Sequence, residues 1–313
     1  MRKILIVTFA LSILFSCNPY NKPIDMESVK IDTLQGKSLL GKDLVRQQVN
    51  PKQDSLQIAN YLSTLSTYKS NPMNADFIIW LGRRQAYLGD YKAAIGIFSE
   101  GILKFPEDAR FYRHRGHRFI STRKLDKAIL DLSKAAILIK NSDDVIEPDG
   151  IPNRLNTPVS TLHTNIWYHL GLAYYLQDDL ENALTAFQEC LLVSKNDDMV
   201  VATSHWLYMI LRQMNKNDDA KNILIPIHEG MNIIENMAYY RLLLFYKEIL
   251  SEDQLISNDS LGETEAIRYG LGNWYAYNDN TEYARVIFEQ LIEQGNWAGF
   301  GYIAAEAYLS RIK

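Results

Sequence analysis

Small and apolar residues recur along this chain with a period of 34 positions. Gly82 and Gly116 are 34 residues apart, and so are Ala94 and Ala128. A period of this length is typical of arrays in which each unit is a pair of helices that packs mainly against its neighbours. The pattern therefore predicts an all-α protein whose units share one continuous core.

The period continues through five units of unequal clarity. They are predicted at residues 75–108, 109–142, 164–197, 201–234 and 265–298. The third unit is the most complete, with these residues at positions 4, 7, 8, 11, 20 and 24: Trp167, Leu170, Gly171, Tyr174, Ala183 and Phe187. In the fourth unit, Tyr208 replaces the small residue at position 8. The pattern resembles the tetratricopeptide repeat (TPR), which implies a solenoid of helical hairpins wound into a right-handed superhelix.

Several segments lie outside the repeats. Residues 17–50 are interpreted as a tether, and the solenoid is predicted to cover residues 51–313. Within the solenoid, residues 51–69 are predicted to form a leading helix, because they are amphipathic and begin with proline. Residues 299–313 are predicted to form a helix that caps the last repeat, since a solenoid end otherwise exposes an apolar seam.

An insertion separates the second and third repeats. It spans residues 143–163 and contains three of the nine prolines of the chain. Prolines stiffen a loop, and loops of this length are uncommon inside compact folds. One interpretation is a tolerated spacer. The other is a wall or lid over the neighbouring basic surface, carried by its acidic residues: Asp143, Asp144, Glu147 and Asp149.

The TPR resemblance also implies which residues line a concave groove. At about 100° per residue, one face of the first helix in each repeat packs and the opposite face is presented. The candidate binding residues on the presented face are basic or aromatic: Arg83, Tyr87, Arg110, Arg113, His114, His117, Tyr168, His169, Tyr175, His205, Trp206 and Arg212. Arginine forks match carboxylates, and aromatic faces take apolar side chains. We therefore expect a protein or peptide partner, with an acidic one favoured; a solvated basic face is the alternative.

The charge of the chain limits the classes of partner. There are 33 Lys and Arg residues against 37 Asp and Glu residues, a net charge of −4. An acidic balance argues against broad nucleic-acid binding. Residues 109–125, however, contain six basic residues, two histidines and no acid. The positive charge is therefore concentrated in the second repeat.

The N-terminus carries a targeting signal. Residues 1–16 combine Arg2 and Lys3 with an apolar segment that is too short to span a membrane comfortably. The sequence Leu-Phe-Ser-Cys that ends at Cys17 is similar to a bacterial lipobox. That resemblance implies cleavage before Cys17 and acylation of its thiol. We therefore expect a lipoprotein anchored in the bacterial cell envelope, in the outer membrane, at its periplasmic side or its surface.

Signatures of catalysis are missing from the sequence. It has no H-E-x-x-H, G-x-S-x-G, C-x-x-C or Walker motif, and we predict no enzyme, no catalytic residue and no cofactor. Four histidines could converge on neighbouring repeats: His114, His117, His169 and His205. Because nearby arginines would repel a cation, we predict no metal site there. Two alternatives stay open: a carbohydrate-capturing surface lipoprotein and a histidine-dependent enzyme. The oligomeric state cannot be derived from the sequence.

Overall fold

The computed structural model describes residues 31–47, 50–149, 153–257 and 261–312. The predicted signal peptide (residues 1–16) and the acylation site Cys17 lie outside these ranges. None of the helices within them has the length and apolar character needed to cross a membrane.

The predicted all-α fold of stacked helical hairpins is confirmed. Five hairpins lie within the five predicted repeats, α1 precedes them, and α10, α11 and α14 stand outside the period. The helices are α1 (Pro51–Ser70), α2 (Ala75–Tyr87), α3 (Tyr91–Lys104), α4 (Ala109–Ser121), α5 (Leu125–Ile139), α6 (Leu162–Leu176), α7 (Leu180–Val193), α8 (Asp197–Gln213), α9 (Asn217–Leu224), α10 (Met237–Tyr246), α11 (Glu252–Ile256), α12 (Leu261–Ala276), α13 (Thr281–Gln294) and α14 (Phe300–Arg311).

Glycine at position 8 allows the two helices of a hairpin to pack closely. In four repeats this glycine faces the large residue at position 24: Gly82 and Phe98, Gly116 and Leu132, Gly171 and Phe187, Gly272 and Phe288. A Cβ atom on any of the four would come within 2.4 to 2.7 Å of the facing side chain. Real side chains do not approach so closely, so the ring or isobutyl group takes the space that a larger residue would need.

The segment predicted as a tether is partly folded, which corrects the prediction for residues 17–50. Strands β1 (Leu34–Lys37) and β2 (Asp43–Val45) pair antiparallel, and the side chains of Gln35 and Leu44 are buried. Gln35 Oε1 accepts a hydrogen bond of 3.0 Å from the backbone N–H of Lys92. The hairpin thus packs on the turn between α2 and α3, a contact outside the repeat pattern.

Helix α14 covers the last hairpin, as predicted, but it also returns to the concave side of the second and third repeats. The ring of Phe300 lies 5.4 Å from that of His117 and 5.6 Å from that of His169, between centroids. Further along α14, Glu306 forms an ion pair of 2.7 Å with Arg123, at the turn between α4 and α5. The C-terminal helix therefore fills part of the groove that the sequence left open.

The β-hairpin and the C-terminal segment also contact each other. Trp297 Nε1 donates a hydrogen bond of 2.7 Å to the backbone carbonyl of Val45, and its ring packs edge-on against Tyr91 of α3. The backbone N–H of Leu39 donates to the Glu306 carboxylate. Both ends of the described chain are thereby tied to the first two repeats, and the solenoid closes on itself.

The insertion lies over the groove, which agrees with the wall interpretation. Its two ends run antiparallel: Leu162 N–H donates to Val145 O, and Glu147 N–H donates to Ser160 O, at 2.9 and 3.0 Å. This pairing directs Glu147 towards α4, where its carboxylate lies 3.1 Å from Arg113 Nη2. Pro148 O accepts a hydrogen bond of 2.6 Å from Arg83 Nη2. The insertion is therefore joined to two successive repeats.

Candidate binding site

Four of the predicted groove residues are buried in the core, which corrects the expectation that they face a partner. Tyr168, Tyr175, His205 and Trp206 are all less than one tenth exposed and line no described cavity next to the first two repeats, whereas the equally buried Arg83, Arg113 and His114 do line one. Helices α10 and α12 cover them. Tyr239 of α10 stacks on His205 at 4.7 Å between centroids, and Tyr175 Oη hydrogen-bonds to Tyr269 Oη of α12 at 2.5 Å.

His169 and Arg212 also make intramolecular contacts in place of an open surface. His169 is buried, contacts Phe300, and its Nδ1 hydrogen-bonds to Asn165 O at 2.5 Å. Arg212 lies 4.5 Å from the ring centroid of Tyr277 and donates to Asn278 Oδ1 at 2.8 Å. Neither side chain faces the part of the groove that stays open.

Arg110 links the first two repeats. Its guanidinium lies 2.6 Å from Asp76 of α2 and 2.6 Å from Asp108 at the start of its own helix. The hydrogen bond and charge of Asp108, followed by those of Asp76, raise the pKa of Arg110 despite its partial burial. The charge is compensated within the chain, so Arg110 borders the groove as a structural ion pair.

The remaining predicted residues converge on one partly open space, which we name the central cavity. Its volume is about 120 Å³, and its wall includes Arg83, Tyr87, Arg113, His114 and His117. Ala86 and Phe98 supply apolar surface. One charged wall residue, Arg118, was absent from our sequence-based set, and Glu147 was predicted as one of the four acidic residues of the insertion. Arg118 lies within the acid-free stretch 109–125, and that stretch is the signal that could have identified it.

Hydrogen bonds hold part of this arginine cluster in place. Arg83 Nε donates to Tyr87 Oη at 3.3 Å, and Arg113 Nη1 lies 2.9 Å from His114 Nδ1. Arg118 stacks over the ring of Tyr91 at 4.9 Å and forms no ion pair with any described residue. Among the described residues, only Glu147 contributes a carboxylate to the wall of the cavity.

Burial determines the charge state of the groups around the central cavity. It lowers the pKa values of Arg113 and Arg118, and the mutual repulsion of the arginines lowers them further. Since an arginine starts far above neutrality, both stay charged. Burial, followed by the charges of neighbouring arginines, also holds the pKa values of His114 and His117 well below 6.5. At neutral pH Arg113 and Arg118 are therefore cations, and the imidazoles of His114 and His117 are neutral.

Two further cavities adjoin the central one. The first, which we name the insertion cavity, has a volume of about 270 Å³ and lies between α2, α4 and residues 145–148. It shares Arg83, His114 and Glu147 with the central cavity. The second, the hairpin cavity, has a volume of about 240 Å³ and shares Tyr87 and Arg118 with it. The three cavities thus follow one another along the groove of the first two repeats.

The structure gives no positive indication of metal or thiol chemistry. Within the described ranges, no three or more His, Cys, Asp or Glu side chains are grouped so that they could hold a metal ion. Cys190 is buried, and desolvation raises the pKa of its thiol to about 12. A thiol in this state is a poor nucleophile at neutral pH. Cys190 is therefore a small core residue.

Comparison with known proteins found one family match and several similar solved structures. The tetratricopeptide repeat family model matches residues 164–197, the third predicted unit. Among solved structures, the chain is similar to YrrB, described as a TPR protein with an unusual peptide-binding site (15% identity, 78% of this chain and 95% of that chain, TM-score 0.42). It is also similar to a chain of the APC/C hetero-tetramer Cut9-Hcn1 (14% identity, 81% of this chain and 46% of that chain, TM-score 0.35). No curated protein matches the chain.

Proposed function

We propose that this protein is a protein-interaction scaffold that is anchored to the bacterial cell envelope and binds an acidic segment of its partner in the insertion cavity. The observation that carries the proposal is the composition of that cavity. Arg83 and Arg110 lie in its wall together with the carboxylates of Asp76 and Glu147, and Val145 and Ile146 beside them are 52% and 67% exposed. Exposed apolar residues beside buried cations offer contacts for both parts of an amphipathic peptide.

The rest of the concave surface supports the same location. Helices α10, α12 and α14 fill the groove of the third and fourth repeats with the chain's own side chains. The insertion cavity lies next to α2, and Trp80 and Ile79 form part of its wall. Trp80 stacks with Arg83 at 4.3 Å from its ring centroid, so that a ring and a guanidinium are available side by side. Tryptophan and arginine are the residues most often found at the energetic centre of interfaces.

The first experiment locates the partner on the surface. A photo-crosslinking residue at Ile146 in the full chain, expressed in its native envelope, is expected to capture a partner. The same residue at Leu103, which is 85% exposed on α3, serves as the control. We then expect Trp80→Ala to weaken binding of the captured partner at least about tenfold, with the helical signal in circular dichroism unchanged. Identical capture from both positions, or unchanged affinity of Trp80→Ala, would contradict the proposal.

The second experiment tests the anchor. Cys17→Ser is expected to abolish acylation and to move the protein from the membrane fraction to the soluble fraction, because multiple acyl chains give stable anchoring. Fractionation and mass spectrometry of the N-terminus measure both effects. Cys190→Ala is the matched control, since that thiol is buried in the core. Normal processing of the Cys17 variant would remove the lipoprotein part of the proposal.

Carbohydrate capture, the main alternative from the sequence, requires ring faces that are open to solvent. Trp206, Tyr168 and Tyr175 would be the expected platforms, and all three are buried. These three rings are therefore closed to a sugar, and Trp80 is a groove ring that stays available.

A further inference from the structure

Three arginines from two helices converge on the central cavity. Arg83 comes from α2, and Arg113 and Arg118 come from α4. The cavity volume of about 120 Å³ is an order of magnitude larger than the roughly 10–15 Å³ that one water molecule needs. A small polyatomic ligand therefore fits inside without rearrangement of the helices.

The donors of these arginines are incompletely used. Arg113 is 8% exposed; its Nη2 pairs with Glu147 at 3.1 Å and its Nη1 lies 2.9 Å from His114 Nδ1, but its Nε is buried without a hydrogen-bond partner among the described atoms. Arg118 is half-buried, has the ring of Tyr91 beneath it and forms no ion pair with any described residue. A buried charge normally needs a partner, because its desolvation is otherwise uncompensated. The cavity therefore has an excess of positive charge and of donors.

A second buried arginine in the same protein shows what full compensation looks like. Arg123 Nη2 donates to Glu306 and to Trp297 O, and its Nη1 donates to Ser121 O. Its counter-charge and its acceptors all come from the chain itself. Among the described residues, the central cavity has one carboxylate for three guanidinium groups. Its positive charge is therefore less fully compensated than that of Arg123.

We propose that the central cavity is a binding site for a phosphate group, held between Arg113 and Arg118 with Arg83 as a third donor. Guanidinium forks donate in pairs to phosphate oxygens. Phosphate is favoured over carboxylate because it offers more acceptor oxygens than the two of a carboxylate, and three arginines supply more donors than a carboxylate can use. Phe98 and Ala86 form apolar wall surface, which limits competition from water.

The phosphate site is separate from the peptide site proposed above and does not depend on it. Arg118 lines the central cavity but not the insertion cavity, and Trp80 lines the insertion cavity but not the central one. Trp80→Ala is therefore expected to weaken the protein partner and to leave phosphate binding unchanged. Arg118→Gln is expected to have the opposite effects.

The test titrates the purified chain with inorganic phosphate and, separately, with glycerol phosphate, at constant ionic strength, by calorimetry and thermal shift. We expect saturable binding with thermal stabilisation, and at least about a tenfold loss of affinity in Arg118→Gln. Arg212→Gln is the matched control, because Arg212 also stacks on a tyrosine but is absent from the central cavity. Tighter binding of glycerol phosphate than of inorganic phosphate would identify a phosphomonoester as the ligand class; the reverse order would identify the free ion.

Three results would overturn the inference. One is the absence of saturable phosphate binding to the wild-type chain, and another is an equal response to chloride at the same ionic strength. The third is tighter binding of succinate than of phosphate, which would assign the site to carboxylates. Should Arg118→Gln fail to fold, Arg118→Lys retains the charge without the fork and is expected to bind phosphate more weakly than the wild type; equal affinity would refute the arrangement.

Discussion

Glu306→Ala is expected to lower the free energy of unfolding by about 3–5 kcal/mol, because it leaves Arg123 as an uncompensated buried charge. The side chains of the pair are 2% and 0% exposed, and the two residues are 183 positions apart in the chain. Glu306 also accepts a hydrogen bond from the backbone of Leu39. One substitution thus removes a contact shared by α14, the second repeat and the β-hairpin.

Urea denaturation measures the expected loss. Glu282→Ala is the matched control, since it breaks an exposed ion pair with Arg285 and should change stability by only about 0–1 kcal/mol. Hydrogen exchange should accelerate in α14 and in residues 34–45 before it does so in α6. The double variant Arg123→Met with Glu306→Leu is expected to recover most of the stability, as buried ion pairs often tolerate apolar replacement. A loss in Glu306→Ala no larger than that of the control would show that the pair does not hold α14 in the groove.

Stability is expected to fall steeply as the pH is lowered from 7 to 5, and His205→Phe should remove about 2 kcal/mol of that loss. His205 is fully buried, neither ring nitrogen has a hydrogen-bond partner among the described atoms, and desolvation lowers its pKa from 6.5 to about 3. Below pH 6.5, His205 is therefore protonated in the unfolded chain, whereas it stays neutral in the folded chain until the pH approaches 3. The stabilisation is complete above pH 6.5 and is lost as the pH falls below that value.

Three more histidines, of which His114 and His169 are buried and His117 is half-buried, contribute in the same direction. Burial holds the pKa values of His114, His117 and His169 well below 6.5, each with a further contribution from neighbouring arginines. Each can add up to about 1.4 kcal/mol per pH unit to the slope of the free energy of unfolding against pH. Their effect remains in the His205→Phe variant. The dependence of the free energy of unfolding on pH should therefore become weaker in this variant but should not disappear.

Denaturation midpoints at pH 7, 6 and 5 measure this effect. His205→Phe keeps a ring between Tyr239 and Trp206, and at pH 7 we expect stability equal to or above that of the wild type. His228→Gln, at an exposed position, is the control. Parallel pH profiles for wild type and His205→Phe would show that this imidazole is already protonated in the folded chain.

The repeat period was readable from the sequence because the contacts behind it are local. Gly171 meets Phe187 within one hairpin, 16 residues apart, and the same pair recurs as Gly82 and Phe98. Helix bounds could be predicted for the same reason, since caps such as Asn74 and Asp179 act on the next turn of their own helix. Contacts of this range repeat with the period and leave a pattern in one sequence.

Local helical geometry does not decide which groove residues stay accessible. Helical geometry placed Arg83, Arg113 and His114 on one surface, and in the structure these three residues line the central cavity. It placed Trp206 and His205 on the corresponding surface of the fourth repeat, where the structure buries them. The difference is made by α10, α12 and α14, which follow those residues in the chain.

The sequence by itself therefore determined the helical hairpins, their order and the side of each helix that carries basic and aromatic residues. Tertiary structure alone decided which part of that side stays open, that Glu147 of the insertion faces Arg113, and that Glu306 reaches Arg123. The physical reason is the range of the interactions. Hairpin packing depends on neighbours within 34 residues, whereas closure of the groove depends on single contacts between distant segments, and such contacts leave no periodic trace in the sequence.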